Sequence, residues 1–185
     1  MSSLRFGLLV ACASLLSFSA TVNAASTTYT YTGNTFAIAS SPYTKSDSVS
    51  GSITLANALA DNLTNFTTVS PTSFSFSAGT STITNATATA GPVFAFKTDS
   101  NGDIFEWQVI VLIGSVSQFS ISTNYYPSVY TPTDQVLKNG SFGQIQYNPG
   151  TWTVASVPEP ETYAMIMAGL GLMGVVARRR KNKQA

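Results

Sequence analysis

The strongest constraint on the fold is a two-residue alternation between apolar or aromatic side chains and Ser or Thr. It is clearest at residues 73–77, which read Ser-Phe-Ser-Phe-Ser, and at residues 28–32, which read Thr-Tyr-Thr-Tyr-Thr. Successive side chains of a β-strand point to opposite faces, so the pattern predicts half-buried antiparallel strands with hydroxyl groups on the wet face. Similar alternation occurs at residues 49–55, 93–98, 119–122 and 151–154.

Turn residues separate these runs at short intervals. Residues 77–79 can close a hairpin onto residues 81–84. The pair Asn101-Gly102 can join residues 93–98 to residues 104–113, because Asn-Gly favours tight hairpins. Many short strands with frequent turns predict an all-β fold, an antiparallel β-sandwich of about eight to ten strands.

Three segments carry more specific expectations. Residues 104–113 are the longest apolar run between the two chain ends and contain Trp107. We expect them to form a central strand that is buried on both faces for part of its length. Residues 56–68 are expected to be a short helix or an ordered loop, and residues 125–140 a long loop over one end of the sandwich.

The N-terminus is typical of a secretory signal peptide, predicted to span residues 1–24. Arg5 gives a positive start, residues 6–18 form an apolar core, and Val22-Asn23-Ala24 resembles a cleavage site for signal peptidase. We expect cleavage after Ala24. An alternative is a lipoprotein site at residues 9–12 ending in Cys12, although the apolar core continues beyond that cysteine. Cleavage after Ala24 would leave a mature chain without cysteine, and therefore without disulfides.

The C-terminus combines three features. Pro158-Glu159-Pro160 is followed by an apolar run at residues 162–177 and by a basic cluster at residues 178–183, which contains Arg178, Arg179, Arg180 and Lys181. A helix over the apolar run would span roughly 24 Å, somewhat less than the roughly 30 Å of a bilayer core. We expect a short transmembrane helix whose basic cluster stays cytoplasmic and whose preceding body lies outside the cytoplasm.

In this order and spacing, the C-terminal features resemble the sorting tail of PEP-CTERM proteins. The resemblance covers about thirty residues and implies processing by an exosortase, a membrane protease that cuts at or near Pro158, Glu159 and Pro160. The membrane anchor would then be transient, and the body would reach the cell surface or the exopolysaccharide (biofilm) matrix of a Gram-negative bacterium. Residues 47–55, 74–79 and 98–107 resemble passenger domains of uncharacterised PEP-CTERM proteins, a resemblance that implies no activity.

Between the chain ends lies one predicted secreted domain, residues 25–156, ahead of the sorting tail at residues 157–185. Up to Val157, this domain contains three lysines and six acidic residues, so its net charge is −3. Five of the nine basic residues of the chain lie in the tail. The body therefore has no basic patch for nucleic acid, and nucleic acid is not an expected partner.

The chain lacks the side chain that most often serves as a general base or transition-metal ligand. It contains no histidine, which excludes a Ser-His-Asp triad. A pair of carboxylates could still hydrolyse a glycosidic bond, but most carboxylates of the body occur at predicted turns, where Asp caps the backbone. Residues 99–103 match the start of a calcium loop and then depart from it at Ile104 and Ile110. We therefore expect no enzyme activity, no cofactor and no metal.

Three functions remain open. The favoured one is a structural or adhesive protein of the extracellular matrix. The second is a carbohydrate-binding module, in which Tyr125, Tyr126 and Tyr130 could stack on sugars. Tyr147 and Trp152 are further candidates, although Trp152 is expected to belong to the core. The third is ice binding, suggested by Thr-x-Thr pairs at residues 82–84 and 87–89, although no internal repeat extends them.

Overall fold

A computed structural model describes residues 26–89, 91–126 and 133–156, together with five helical residues near the C-terminus (166, 167, 169, 170 and 173). Twelve strands lie within the described part of residues 26–156. They are β1 Thr27–Thr35, β2 Ile38–Ala39, β3 Ser48–Leu55, β4 Thr67–Thr68, β5 Ser73–Ala78, β6 Ser81–Thr84, β7 Val93–Thr98, β8 Ile104–Ile113, β9 Phe119–Tyr125, β10 Thr133–Lys138, β11 Ser141–Gln146 and β12 Thr151–Ser156.

The strands form two antiparallel sheets that pack face to face. The five-stranded sheet has the order β12-β1-β3-β5-β6, and the seven-stranded sheet has the order β2-β11-β10-β9-β8-β7-β4. The all-β prediction with two antiparallel sheets is confirmed. The strand count is twelve rather than about eight to ten, because β2 and β4 have two residues each and are too short to show any periodicity.

The predicted alternation sets the two faces of each sheet. In β5, Phe74, Phe76 and Ala78 are buried between the sheets, whereas the serines between them face outwards and are more exposed. The hairpin from β5 to β6 pairs Ala78 with Ser81, as the sequence predicts. Each sheet thus buries the apolar side chains of one face and keeps its other face in contact with water. Removing this apolar surface from water stabilises the two packed sheets.

The centre of the core is aromatic. The Trp152 ring on β12 has its centroid 5.1 Å from Tyr31, 5.4 Å from Phe96, and 6.4 Å from both Phe76 and Trp107. These rings come from both sheets and meet largely edge to face or tilted, the arrangements that aromatic rings prefer. The expectation that Trp152 is a core residue is therefore confirmed.

Gly51 makes room for this aromatic centre. It lies opposite Tyr31 on one side and opposite Phe76 on the other. A Cβ atom at Gly51 would overlap the Phe76 ring. The missing side chain therefore lets Phe76 lie across β3 towards Trp152.

The β7–β8 hairpin agrees with the sequence in its bounds and its turn. β8 begins at Ile104 and ends at Ile113, and the Asp99 carboxylate accepts hydrogen bonds from the backbone N–H groups of Asn101 (2.8 Å) and Asp103 (3.0 Å). The expectation of burial on both faces is wrong. Trp107, Val109 and Val111 are buried, while the residues between them are only partly buried, because the outer face of this sheet has no covering layer in the described residues.

Two other segments can be compared with the sequence predictions. Residues 56–66 form an ordered loop rather than a helix, and Thr67–Thr68 form β4 at the sheet edge. The long loop predicted at residues 125–140 is wrong, because Tyr125 ends β9 and Thr133–Lys138 form β10 between β9 and β11. The alternation in β10 is hidden by Asp134, a carboxylate at a position where strands normally carry an apolar side chain.

Asp134 is fully buried and links the two sheets. The Tyr31 hydroxyl on β1 donates to its carboxylate, with its oxygen 2.7 and 2.8 Å from the two carboxylate oxygens, and accepts a 2.7 Å hydrogen bond from the Gly150 N–H. Burial raises the pKa of Asp134 to about 6, although hydrogen bonds from Thr123 and Tyr31 act in the opposite direction. Burial also raises the pKa of Tyr31, and the nearby Asp134 charge raises it further.

Truncating Trp107 should unfold the body or nearly so. The side chain is buried, and its Nε1–H donates to Thr123 Oγ1 at 2.8 Å. Trp-to-Ala changes in a core typically cost about 3–5 kcal/mol, a large share of the roughly 5–15 kcal/mol of a domain. Urea unfolding of Trp107→Ala should show this loss. The matched control is Phe105→Ala on the same strand, where the side chain is 43% exposed; equal unfolding midpoints would contradict the core assignment.

The raised pKa of Asp134 predicts a specific dependence of stability on pH. The folded state holds this proton up to about pH 6, whereas the unfolded chain releases it near the ordinary 3.8. The stabilisation is therefore complete below about pH 4 and is lost as the pH rises through about 6, up to about 3 kcal/mol. Asp134→Asn should remove this dependence. We would measure unfolding free energy from pH 4 to 8; parallel wild-type and variant curves would contradict the prediction.

Candidate functional surfaces

The outer face of the five-stranded sheet is an array of hydroxyl groups. The strand registers place five Ser or Thr side chains side by side in each of two ranks that cross all five strands. One rank is Thr151, Thr32, Ser50, Ser77 and Thr82, and the other is Thr153, Thr30, Ser52, Ser75 and Thr84. We call these two ranks the hydroxyl face.

The hydroxyl face carries no charged side chain. Its hydroxyl groups can each donate and accept a hydrogen bond. Some bond to one another, as Ser50 does to Ser77 at 3.1 Å, while Thr30, Thr32 and Thr153 are exposed. Such a surface can form hydrogen bonds with a neutral, hydroxyl-rich partner and has no charge with which to form an ion pair.

The two Thr-x-Thr pairs considered for ice binding lie in different surroundings in the structure. Thr82 and Thr84 belong to the hydroxyl face. Thr87 and Thr89 instead hydrogen-bond to nearby backbone. Thr87 Oγ1 accepts a hydrogen bond from the Thr84 N–H at 2.9 Å, and Thr89 Oγ1 accepts one from the Gly114 N–H at 2.6 Å. Neighbouring strands also twist by about 20–25°, so ranks across a five-stranded sheet are not flat. With the usual twist of a β-sheet, the two ranks would form a curved polar surface rather than a planar one.

A second surface lies on the outer face of the seven-stranded sheet. The Phe66 and Tyr126 rings meet edge to face with centroids 5.3 Å apart. Lys97 Nζ lies 5.0 Å from the Phe66 centroid and 2.8 Å from Glu106 Oε2. We call these four residues the aromatic patch. The rings cover much of the ion pair, whose side chains are 22% and 12% exposed, and this combination is suited to stacking against an apolar sugar face.

The structure places two of the predicted sugar-binding tyrosines, Tyr125 and Tyr126, on opposite faces of their sheet. Tyr125 packs its ring 5.2 Å from Trp107 on the inner face, whereas Tyr126 contacts Phe66 on the outer side. Tyr130 lies outside the described residues. Tyr147 is 71% exposed. Among the described residues, no ring contact joins it to the aromatic patch. Phe66 was missed because it lies in a loop without periodicity.

Four carboxylates of the described residues act within turns, an ion pair or the core: Asp47, Asp99, Glu106 and Asp134. Asp99 caps its hairpin as predicted, and the Asp47 carboxylate accepts from the Thr44 N–H at 2.8 Å. Asp134 has a raised pKa but is enclosed between the sheets. In the part of the chain that the structure describes, no group of three or more Asp, Glu, Cys or His residues could hold a metal ion.

A groove of about 360 Å³ lies beside the loop that follows β3. Its lining combines apolar side chains such as Leu55, Leu59 and Val69 with Asn57 and Ser70, and includes no titratable group. A groove of this composition can accept an apolar or neutral group, but it holds no acid or base for catalysis.

Most of the predicted sorting residues lie beyond the described residues. These are Ala24, Pro158, Glu159, Pro160, Arg178, Arg179, Arg180 and Lys181. Of the predicted transmembrane segment, Ile166, Met167, Gly169, Leu170 and Met173 are described, and they are helical. The described residues include no helix long and apolar enough to cross a membrane, so this segment stays a prediction.

Comparison with known proteins identifies the tail and leaves the body unassigned. A family model for the PEP-CTERM protein-sorting motif matches residues 156–181, directly after β12. No curated protein and no solved structure matches the chain. The match begins at Ser156, where the described β-sandwich ends, and it includes Pro158, Glu159 and Pro160 as well as the basic residues to Lys181. The chain thus carries, at residues 156–181, the PEP-CTERM sorting motif that marks exosortase substrates.

Proposed function

We propose that the body is a structural or adhesive protein of the cell surface or extracellular matrix, which acts by contact and not by catalysis. The hydroxyl face carries this proposal, since it extends across all five strands without a charge. The sorting motif supports it, because exosortase processing belongs to exported proteins.

The proposed route has two cuts. Signal peptidase cleaves after Ala24, and the segment at residues 162–177 holds the precursor in the membrane with its basic cluster in the cytoplasm. An exosortase then cuts at or near Pro158-Glu159-Pro160 and releases the body to the surface or to the exopolysaccharide (biofilm) matrix.

The proposed contact is with neutral polysaccharide. A single hydrogen bond exchanged for one with water contributes only about 0.5–1.5 kcal/mol. Ten side chains in two ranks provide many such contacts at once. A long polymer that touches several of them gains avidity from weak individual interactions.

The route predicts a defined mature protein. In cells with an active exosortase, surface material should yield a chain that begins at Ala25 and lacks Arg178, Arg179 and Arg180. Mass spectrometry of intact protein would measure both ends. A control variant with alanine at positions 158, 159 and 160 should keep the tail and stay with the membrane. Recovery of the basic cluster on mature wild-type protein would contradict the route.

A second candidate function is sugar binding through the aromatic patch. The observation that favours it is the edge-to-face pair of Phe66 and Tyr126 above the Lys97–Glu106 ion pair. Aromatic rings stack on the apolar faces of sugars, and Lys97, the more exposed member of the ion pair, can donate a hydrogen bond to a sugar hydroxyl. This binding would be local, to one or two sugar units.

Retention on immobilised host exopolysaccharide should separate the two functions. We expect Thr32→Lys with Thr82→Lys to reduce retention of residues 25–157 several-fold, because charges would interrupt the hydroxyl face. Phe66→Ala with Tyr126→Ala should have little effect, and the reverse result would favour the aromatic patch. The matched controls are Thr80→Lys with Ser117→Lys in exposed turns, and Phe105→Ala.

The same incubation tests the absence of catalysis. Wild-type protein should release no new reducing ends from the polysaccharide. Release by wild type but not by Asp99→Asn with Asp103→Asn and Glu106→Gln would show an enzyme. Failure of the wild type to be retained at all would contradict both binding functions.

A further inference from the structure

The five-stranded sheet ends in a long edge strand, β12. Among the described strands, four stand at sheet edges, and three of these are short: β2 and β4 have two residues each, and β6 has four. β12 has six residues, and its neighbour in the described part of the chain is β1. Proteins usually protect such an edge by keeping it short, by charged side chains, by proline, by a bulge or by a covering segment.

β12 has none of these protections within the described residues. Its sequence, Thr-Trp-Thr-Val-Ala-Ser, contains no charged residue and no proline, and it pairs with Thr27–Thr32 without a bulge. Thr151, Thr153, Val154 and Ala155 are exposed. In an antiparallel strand, every second residue turns its backbone N–H and C=O away from the neighbouring strand. Half of the residues of β12 therefore present backbone groups that β1 does not use.

β12 also has an apolar side chain at the rim of the core. Trp152 packs against rings of the other sheet, and Val154, two residues later, shares its inner face. Val154 lies opposite the buried Tyr29 of β1, yet it is 52% exposed. Its open side faces away from β1, so a strand added at this edge would remove apolar surface from water.

We propose that β12 is a self-association site, at which two copies of the body pair their β12 strands antiparallel. A second copy fits this edge because it offers a strand of the same length, without charge and with the same uncovered Val154. A two-fold axis perpendicular to the sheet keeps both hydroxyl faces on one side. Directly opposed side chains point to the same face. Outward residues of one copy therefore meet outward residues of the other, and one residue of β12 lies opposite itself.

The side chains favour Thr153 as the residue on the axis. This register pairs residues 151–155 of the two copies and places Val154 of each copy beside Trp152 of the other. It also places the two Thr153 side chains together. Aromatic with β-branched residues, and Thr with Thr, are favourable cross-strand pairs. A centre at Val154 would instead place Trp152 opposite Ser156 and leave the ring without an apolar neighbour across the strands.

Pairing at Thr153 makes one continuous sheet from two five-stranded sheets. The rank of the hydroxyl face that contains Thr153 would continue across the axis into the same rank of the second copy. The polar surface would double in length without any new residue type. This self-association does not rest on polysaccharide binding, since it uses only the backbone of β12 and its inner and outer side chains.

Disulfide trapping tests the register. The body contains no cysteine, and residues 25–157 include both sheets and the described core. Directly opposed residues of antiparallel strands have Cα atoms about 4.5 or 5.5 Å apart, within the roughly 4.4–6.8 Å that a disulfide spans. In a glutathione redox buffer, Thr153→Cys should form several-fold more disulfide dimer than Thr82→Cys, a matched exposed position on edge strand β6. Non-reducing gels would measure the dimer.

Two further cysteine variants define the pairing. Thr151 lies two residues from the axis on the same face and would be opposite Ala155 of the second copy. Thr151→Cys alone should therefore form little dimer, whereas an equal mixture of Thr151→Cys and Ala155→Cys should form a disulfide between the two. Equal dimer formation by Thr153→Cys, Thr151→Cys and Thr82→Cys would reflect random collision and would overturn the proposal.

A charge at the rim tests the contact without relying on cysteine alone. Val154→Lys would place an ammonium group beside Trp152 of the second copy, so it should abolish the dimer of Thr153→Cys. Thr80→Lys, in an exposed turn, is the control and should leave the dimer unchanged. Thermal unfolding of the reduced proteins checks that both variants keep the fold. In sedimentation velocity, the wild-type body should form more dimer as its concentration rises; a wild type that stays monomeric, or a dimer that a folded Val154→Lys leaves intact, would overturn the proposal.

Discussion

The hydrogen bond between Tyr31 and Asp134 is the constraint on which the arrangement of the two sheets depends. A carboxylate that is fully removed from water is costly unless its oxygens are satisfied. Tyr31 can reach it only if β1 lies across β10, and the Gly150 N–H that bonds to the same hydroxyl fixes the chain just before β12. One polar contact thus relates three strands from both sheets, whereas apolar packing alone would tolerate several relative positions.

The aromatic centre depends on this arrangement. Tyr31 offers its hydroxyl to Asp134 and its ring to Trp107 and Trp152, with centroids 5.7 and 5.1 Å away. Among the described strands β12 is an edge strand whose neighbour is β1, and its Trp152 side chain joins it to the aromatic rings of the other sheet. The last strand before the sorting motif is therefore held by its pairing with β1 and by the Trp152 side chain.

Sequence periodicity was sufficient where one face of a strand is apolar throughout. It predicted β5 from Phe74 and Phe76, and it predicted both ends of β8. It failed at β10 because Asp134 occupies an inward position, and only the three-dimensional partner Tyr31 explains a carboxylate there. It also could not separate Tyr125 from Tyr126 or find Phe66, since ring contacts between a loop and a distant strand leave no local pattern. The sorting tail was predictable because its motif, apolar run and basic cluster follow one another directly in the sequence.

The composition of the hydroxyl face has a consequence for the medium in which it works. Contacts between charged groups weaken as salt is added, because the Debye length shortens from about 10 Å at 0.1 M to about 3 Å at 1 M. Neither rank of the hydroxyl face contains a charge for salt to screen. A partner bound there would be held equally in dilute and in concentrated electrolyte, which would suit the proposed location in an external medium of changing ionic strength.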